Sequence, residues 1–385
     1  MDEVKEYFIY LLSCFLNGEA PKGRETDFKE LYRLSDIHDV SAIIAQQLKS
    51  IDIYKPEGKY KSVFTQRLGY AVREYELKTK AKNAINSFLN DNCFKHIFVK
   101  GIIIRDLYPV KELRSSGDID VIVDENEFEK IYETLKSNSY KIVSYVSETV
   151  IIKLFDTEIE IHKLADVNNS YFDNVFSLNL ISKGKYEYAF TEYDHLLYVI
   201  CHLAKHLSYR GAGIRMLMDI DVLIRGIEAF DEDKFVDLCV KSHIEKTAKA
   251  LLSLSKFYFN TPVNSYIDYN IETELLELFE RVLLDGGSFG YETSSIPAKY
   301  YDESGSKFKV FLKLAFPNRE YLKKAYPYYE NNSLLLPVAR INRLTDGLFA
   351  KRKTAKSALD ELSGDNRINY QHELLKELGD EIRGK

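Results

Sequence analysis

The sequence contains no tryptophan, only eight prolines among 385 residues, and no run of about 20 apolar residues that would span a membrane. It also has no excess of basic residues: 53 Lys and Arg stand against 59 Asp and Glu, so the formal net charge is −6. An acidic chain argues against a broad surface for DNA or RNA, although it leaves room for a local basic cleft. We therefore expect neither a membrane nor a nucleic acid among the partners.

Cysteine is scarce too, and its spacing argues against two kinds of site. The four cysteines at positions 14, 93, 201 and 239 form no close pair of the sort found in zinc ribbons or redox motifs. The first apolar run, Tyr7 to Leu16, follows a mostly acidic start, whereas a secretory signal begins with cationic residues. These features predict reduced thiols and a cytoplasmic protein.

What the sequence does contain is typical of a folded protein of two or three domains, with 45% hydrophobic and 29% charged residues. Apolar residues at helical spacing predict a helical N-terminal region over residues 1–92 and a helical domain over 166–289. Residues 93–165 mix strand-like and helical runs, and residues 290–385 predict a C-terminal helical extension. The expected fold class is α+β, with a small mixed sheet embedded in mostly helical N- and C-terminal regions.

The central region is predicted from short β-branched and aromatic runs that are bounded by turns. A short apolar helix is expected to begin at Gly101, and an amphipathic helix is expected from Glu125 to Ser137. The predicted strands are His96–Lys100, Asp118–Val123, Tyr140–Tyr145, Thr149–Phe155 and Glu158–Lys163.

Two aspartates, Asp118 and Asp120, begin one of these strands. Alternate side chains of a strand point to the same face, so both carboxylates project together, opposite Ile119 and Val121. Carboxylates so close repel one another unless they reach water or share a cation, and Mg²⁺ is bound by carboxylates together with substrate phosphates. The pair therefore indicates either a metal site or a solvated strand start.

A second acidic strand favours the metal site. In the run from Glu158 to His162, the side chains of Glu158, Glu160 and His162 share one face. If Glu160 lies beside the aspartates, three carboxylates meet, which suits transfer of a phosphoryl or nucleotidyl group by two metal ions. There are two alternatives to Glu160 as the third carboxylate. Glu158 occupies the inward position instead, or the segment is an exposed strand with alternating residues and no site.

A glycine follows the first strand, in the order Val99-Lys100-Gly101. The N-terminus of a helix offers free N–H groups to a phosphate, and glycine allows a close approach. Lys100 and Arg114 would add positive charge. Glycine is also common at any tight turn, so this junction alone is weak evidence for a phosphate site.

Two histidines, His202 and His206, lie four residues apart in a predicted helix and therefore on one face. The open interpretations are partly buried polar groups, a contact to phosphate or acceptor that includes Lys205, and a metal site. Arg215 and Asp219 have the same spacing, which favours an ion pair on the helix surface.

Several of these segments together resemble the uncharacterised nucleotidyltransferase family of the DNA polymerase β-like superfamily. The resemblance covers roughly residues 30 to 350. It rests on Lys100-Gly101, Leu107-Tyr108-Pro109, the segment Arg114 to Asp120, Glu160-Ile161-His162, the helix around His202 and His206 with Arg215 and Asp219, and the tail from Phe316-Pro317 through Tyr326-Pro327 to Leu336-Pro337.

The resemblance implies a polymerase β-like palm that binds a nucleoside triphosphate with Mg²⁺ or Mn²⁺. The metal-binding and catalytic residues would be Asp118, Asp120 and Glu160. The nucleotide would be held by Lys100, Gly101, Arg114, Ser116 and Gly117. Contacts to the acceptor or its phosphate would come from His162, His202, Lys205 and His206.

The expected activity is transfer of a nucleoside monophosphate from a nucleoside triphosphate to an unknown hydroxyl or phosphate acceptor. The superfamily usually has Gly-Ser or Gly-Gly at the phosphate loop, whereas this chain has Gly101-Ile102. That departure motivates an alternative: a catalytically inactive nucleotide-sensing or scaffold protein that keeps the palm.

Overall fold

A computed structural model of the protein describes residues 2–263, apart from 54, 147, 210 and 211, together with 278, 279, 282–284 and 378. The predicted extension over 290–385 lies outside the described residues, apart from position 378, and so do its proline-containing tail motifs.

The N-terminal region is helical, as predicted. Its helices are α1 (Glu3–Asn17), α2 (Phe28–Ile37), α3 (Ser41–Ser50) and α4 (Gly58–Asp91). Helix α1 begins after Asp2, whose carboxylate accepts a hydrogen bond from the Lys5 N–H at 2.8 Å. It ends at Gly18, whose φ of 67° suits a residue without a side chain.

A seven-stranded mixed sheet follows, with the strand order β3-β4-β5-β2-β1-β7-β6. The strands are β1 (His96–Val99), β2 (Asp118–Val123), β3 (Ile142–Val146), β4 (Thr149–Leu154), β5 (Thr157–His162), β6 (Ile181–Ser182) and β7 (Glu187–Ala189). Strands β2 and β5 are parallel neighbours, and β1 pairs antiparallel with β2. The predicted α+β class, a mixed sheet among helices, is confirmed.

Strands β6 and β7 were not predicted. Strand β7 pairs with β1, so the sheet continues beyond residue 165 into a segment that the sequence assigned to the helical domain. The two strands span only two and three residues, which is too short for alternating hydrophobicity to emerge.

The two faces of the sheet have different surroundings. One face carries Ile119, Val121, Ile159 and Ile161, which are fully buried in a core with α6 (Phe128–Ser137) and the end of α4. The other face carries the acidic residues at one end of β2 and β5. Beyond them, Ile122 joins the larger core of the remaining helices.

Those helices are α5 (Gly101–Ile104), α7 (Glu192–Tyr209), α8 (Ile214–Gly226), α9 (Glu232–Lys241) and α10 (Glu245–Phe259). Helix α7 packs on α8, and α8 packs on α10. Within the described part of the chain, no helix is long and apolar enough to cross a membrane. All four cysteines are free thiols, and three of them are buried.

Candidate active site

The parallel pairing of β2 and β5 determines which acids lie side by side. Asp118 is the register partner of Glu158, and Asp120 is the register partner of Glu160. All four carboxylates share one face of the sheet. Glu160 is half-buried, whereas Glu158 is exposed and lies across from Lys153 of β4. The register therefore places Glu160, rather than Glu158, beside the buried Asp120.

Asp120, Glu160 and His162 form a compact group of possible metal ligands. One ligand atom from each lies within 4.8 Å of the others. His162 Nε2 is 3.0 Å from Asp120 Oδ1 and 3.4 Å from Glu160 Oε2. Asp118, one pleat along β2, is not part of this group. Two carboxylates and an imidazole are suitable ligands for a divalent cation, so the side chains present fit the expected metal.

Lys100 places a positive charge inside the same group. Its Nζ lies 2.7 Å from Asp120 Oδ1 and 3.0 Å from Asp166 Oδ2. The backbone of Lys100 has φ 59° and ψ −141°, a conformation that costs a residue with a side chain roughly 1–3 kcal/mol. The two ion pairs hold the lysine in this strained position.

The three carboxylates respond differently to their shared burial. Burial by itself raises the pKa of Asp120, but Lys100 and His162 outweigh it and hold that pKa below its ordinary value. The pKa of Asp118 is raised by burial and by the neighbouring Asp120. Burial, Asp118 and Asp120 likewise raise the pKa of Glu160. Positive groups therefore compensate the ionised form of Asp118 and of Glu160 less well than that of Asp120.

This imbalance predicts that Asp118→Asn stabilises the metal-free protein at pH 7, by roughly 0.5–2 kcal/mol. The raised pKa of Asp118 means that ionisation costs more in the folded state than in the unfolded state. The gain in the free energy of unfolding should appear as the pH rises above the ordinary pKa of a carboxyl group. It should vanish at low pH, where Asp118 of the wild type is protonated in both the folded and the unfolded state. Thermal unfolding of both proteins at pH 7 and at low pH measures it.

A site in which Asp118 shares a divalent cation would show the reverse order when Mg²⁺ or Mn²⁺ is added, because a ligand that binds only the folded state stabilises it. A metal-free Asp118→Asn variant that is less stable than the wild type at pH 7 would contradict the charge imbalance.

A second cluster surrounds Asp166, which follows β5. Lys205 pairs with the Asp166 carboxylate, and His202 Nδ1 lies 3.3 Å from the Asp166 carbonyl oxygen. His206 Nε2 is 3.2 Å from His202 Nε2. Burial and the cation of Lys100 lower the pKa of His202 well below its ordinary value, so this imidazole is neutral. The structure therefore brings His202, Lys205 and His206 together on the Lys100 side of the carboxylates.

Arg114 is fully engaged by protein groups. Its Nε and Nη2 donate to Asp219 Oδ1 and Oδ2 at 3.1 and 2.6 Å, and Nη1 donates to the Ser115 carbonyl at 2.6 Å. The Tyr108 hydroxyl donates to the same Asp219 carboxylate at 2.7 Å. This buried pair fixes the turn that leads into β2 against α8.

The sequence-based interpretation of Arg215 and Asp219 as a surface pair is wrong. Both residues are buried, with relative exposures of 9% and 4%. Arg215 pairs with Asp39 and donates to Ser115, while Asp219 pairs with Arg114. Helix α8 is enclosed by other segments, so its charged residues find partners there and not along its own surface.

Gly101 is required by packing. A Cβ at this position would overlap the Arg114 guanidinium, so a side chain here would displace the buried arginine. Lys78 of α4 donates to the Ser116 carbonyl oxygen. Ser116 is half-buried and Gly117 is exposed, so part of this turn is accessible.

The sequence analysis did not single out Asp166 or Lys78, and it named Tyr108 and Asp219 only as motif residues, with no role in this region. Asp166 lies just beyond the end of β5, and an acid after a strand that carries other acids is a signal that could have singled it out. The other three reach the site through contacts between distant segments, which leave no local pattern.

A comparison with known protein families matches residues 24–260, more than half of the chain, to a family described as uncharacterised nucleotidyltransferase. No curated protein and no solved structure matches the chain significantly. The matched residues include the whole sheet, both clusters and helices α2 to α10. The family indicates nucleotidyl transfer as the general chemistry. In agreement with the resemblance of its motifs, the chain belongs to the uncharacterised nucleotidyltransferase family.

Proposed function

We propose that the protein is a metal-dependent nucleotidyltransferase that moves a nucleoside monophosphate from a nucleoside triphosphate to a hydroxyl or phosphate acceptor. The observation that carries the proposal is the register of β2 and β5, in which Asp120 and Glu160 are direct partners and Asp118 lies one pleat away. Carboxylates on adjacent strands suit Mg²⁺ or Mn²⁺ shared with the phosphates of a substrate.

In this proposal Asp118, Asp120 and Glu160 would hold the metal, which would neutralise charge at the leaving diphosphate and polarise the attacked phosphate. In the metal-free protein, burial and the charges of Asp118 and Asp120 raise the pKa of Glu160, and a bound cation would offset this effect. Glu160 is half-buried, and in this proposal its carboxylate accepts the proton of an acceptor hydroxyl. The α-phosphorus bond to the diphosphate breaks as the bond to the acceptor oxygen forms.

The triphosphate would contact Lys100 and Gly101 at the start of α5, and Ser116 and Gly117 in the turn before β2. The Lys100 ammonium contacts Asp120 directly, and its second partner Asp166 would retain it if Asp120 bound a metal. Direct binding of phosphate by Arg114 stays a prediction. Its contacts with Asp219 and Ser115 support a positioning role, in which it holds the turn in place.

The acceptor would enter on the side of His162, His202, Lys205 and His206. Lys205 supplies positive charge, and the neutral His202 can donate or accept a hydrogen bond. Such a mixture suits a polar or phosphorylated acceptor. A cytoplasmic location also stays a prediction.

The alternative, an inactive nucleotide-sensing or scaffold protein, has one observation in its favour. The Lys100 ammonium neutralises Asp120 from within the chain, and this reduces the need for a metal there. The pair Gly101-Ile102 at the phosphate loop also favours the inactive protein, because isoleucine has no hydroxyl that could bind a phosphate.

A label-transfer experiment distinguishes the nucleotidyltransferase from the inactive sensor or scaffold. The protein is incubated with Mg²⁺ or Mn²⁺, a mixture of sugar phosphates, proteins and RNA ends, and a nucleoside triphosphate that carries ³²P at either the α- or the γ-position. Nucleotidyl transfer moves the α-label to an acceptor and releases the γ-label in diphosphate. Metal-dependent binding with neither event would indicate the sensor or scaffold.

Glu160→Gln and Glu158→Gln form a matched pair that tests the third carboxylate. We expect Glu160→Gln to reduce transfer by about 100-fold or more, because it removes both a metal ligand and the proposed base. Glu158→Gln removes an equal charge from an exposed position of the same face and should leave transfer within about twofold. Equal losses in both variants would contradict the assignment of Glu160.

A further inference from the structure

The buried imidazole beside the two carboxylates bears on which metal the site selects. We propose that His162 is a ligand of the ion held by Asp120 and Glu160, and that this nitrogen makes the site prefer a first-row transition ion such as Mn²⁺ over Mg²⁺. The inference rests on the proposed function and narrows its cofactor.

The distances among the three side chains already fit a shared ion. Neighbouring ligands of an octahedral ion with bonds of about 2.1 Å lie about 3 Å apart. His162 Nε2 is 3.0 Å from Asp120 Oδ1 and 3.4 Å from Glu160 Oε2. Two of the three separations therefore match neighbouring ligands on one ion, and all three atoms lie within 4.8 Å of one another. Lys100 contacts the same Asp120 oxygen, so its ammonium would move toward Asp166 when an ion binds.

The other nitrogen of His162 has the partner that a metal-bound imidazole requires. Nδ1 lies 3.2 Å from Thr149 Oγ1, and Thr149 is the register partner of His162 on β4. A hydroxyl can donate or accept a hydrogen bond. Thr149 can therefore pair with Nδ1 in either tautomer of the ring. With Nε2 bound to an ion, Nδ1 would carry the ring proton and donate it to the Thr149 hydroxyl.

Burial keeps two of the three ligands in place. Asp120 and His162 are 4% and 5% exposed, and their strands are hydrogen-bonded along β4, β5 and β2. The ring of His162 has a carboxylate group at one nitrogen and a hydroxyl at the other. A metal ligand with an ordered outer partner binds its ion about 10- to 100-fold more tightly than one without it.

The donor set then decides the metal. Mg²⁺ prefers oxygen ligands and retains several waters, whereas an imidazole nitrogen stabilises transition ions more strongly. Without His162, the carboxylates of this site would offer only oxygen ligands and would be suited to Mg²⁺. The added nitrogen is expected to give a preference for Mn²⁺ of about tenfold or more.

The alternative is that His162 only donates a hydrogen bond to Asp120 and never touches the ion. Pulsed electron paramagnetic resonance of Mn²⁺ bound to the full-length protein distinguishes the two, because a directly bound ¹⁴N modulates the electron spin echo. Protein grown with ¹⁵N-labelled histidine should shift that modulation to the ¹⁵N frequencies. This measurement uses the wild type and needs no variant to fold.

Two variants complete the test. His162→Gln retains a donor for Asp120 but removes the imidazole, so it should lose the nitrogen signal and about tenfold of the Mn²⁺ over Mg²⁺ affinity ratio. His243→Asn, an exposed histidine outside both clusters, should change neither quantity.

Three outcomes are informative. A histidine nitrogen signal that His162→Gln removes supports the proposal. Bound Mn²⁺ with no nitrogen signal and an unchanged affinity ratio overturns it and leaves the proposed nucleotidyl transfer standing. Absence of any divalent-ion binding, with or without nucleotide, overturns both.

Discussion

Replacing Asp120 with asparagine is expected to lower the rate of nucleotidyl transfer by about a thousandfold or more while the chain remains folded. Asp120 is the carboxylate that joins the elements of the site, because it contacts Lys100 and His162 and lies beside Asp118 and Glu160. An amide has the same shape but is a much poorer metal ligand. Release of γ-label and transfer of α-label from a nucleoside triphosphate measure the loss.

Asparagine at position 120 should preserve the fold because Lys100 keeps its ion pair with Asp166. Asp156→Asn makes the same chemical change at a side chain that is 90% exposed, in the turn between β4 and β5, and should retain full activity. An Asp120→Asn protein with wild-type transfer would remove Asp120 from the catalytic site.

The largest effect on stability is expected at Asp219. Asp219→Asn would leave the Arg114 guanidinium buried without its charge partner, and the two side chains are only 5% and 6% exposed. Breaking a buried ion pair by removing one partner costs about 3–5 kcal/mol. The free energy of unfolding, measured by chemical denaturation, should fall by that amount.

A surface pair provides the control. Glu30 and Arg33 also form a close ion pair, but they are 37% and 50% exposed, so Glu30→Gln should cost less than about 1 kcal/mol. Replacing both buried partners, in Arg114→Met/Asp219→Leu, should recover much of the stability lost in Asp219→Asn. If Asp219→Asn costs no more than Glu30→Gln, the buried pair does not hold the turn before β2.

The acidic face was predictable from the sequence because strands alternate strictly. Once residues 118–123 and 158–162 are taken as strands, Asp118, Asp120 and Glu160 must project to a face opposite their isoleucine neighbours. The long helix α4 was predictable for a similarly local reason, since residues 59–90 contain no proline and one glycine.

The register between the two strands was not predictable, because nothing local couples residue 120 to residue 160. A shift of two residues would have placed Glu158 beside Asp120 with the same faces buried. The parallel pairing observed here is set by the packing of the whole sheet, and it makes Glu160 the neighbour of Asp120.

Ion pairs between residues that are distant in the sequence account for the remaining differences between the predicted and the observed site. The spacing of Arg215 and Asp219 is that of a helix-surface pair, but ten of the thirteen residues of α8 are buried. Their partners, Asp39 and Arg114, lie far away in the sequence. Lys100 was predicted as a phosphate ligand, and its contacts with Asp120 and Asp166 could be seen only in the folded chain.

Calorimetric titration of ATP, GTP, CTP and UTP, with and without Mg²⁺ or Mn²⁺, tests the metal-dependent nucleotide site most directly. The comparison is between the wild type and an Asp118→Asn/Asp120→Asn double variant. We predict that the wild type binds at least one nucleotide only when the divalent ion is present, and that the folded double variant binds none. Equal binding by both proteins, or no binding by a well-folded wild type, would contradict a nucleotide site built on these carboxylates.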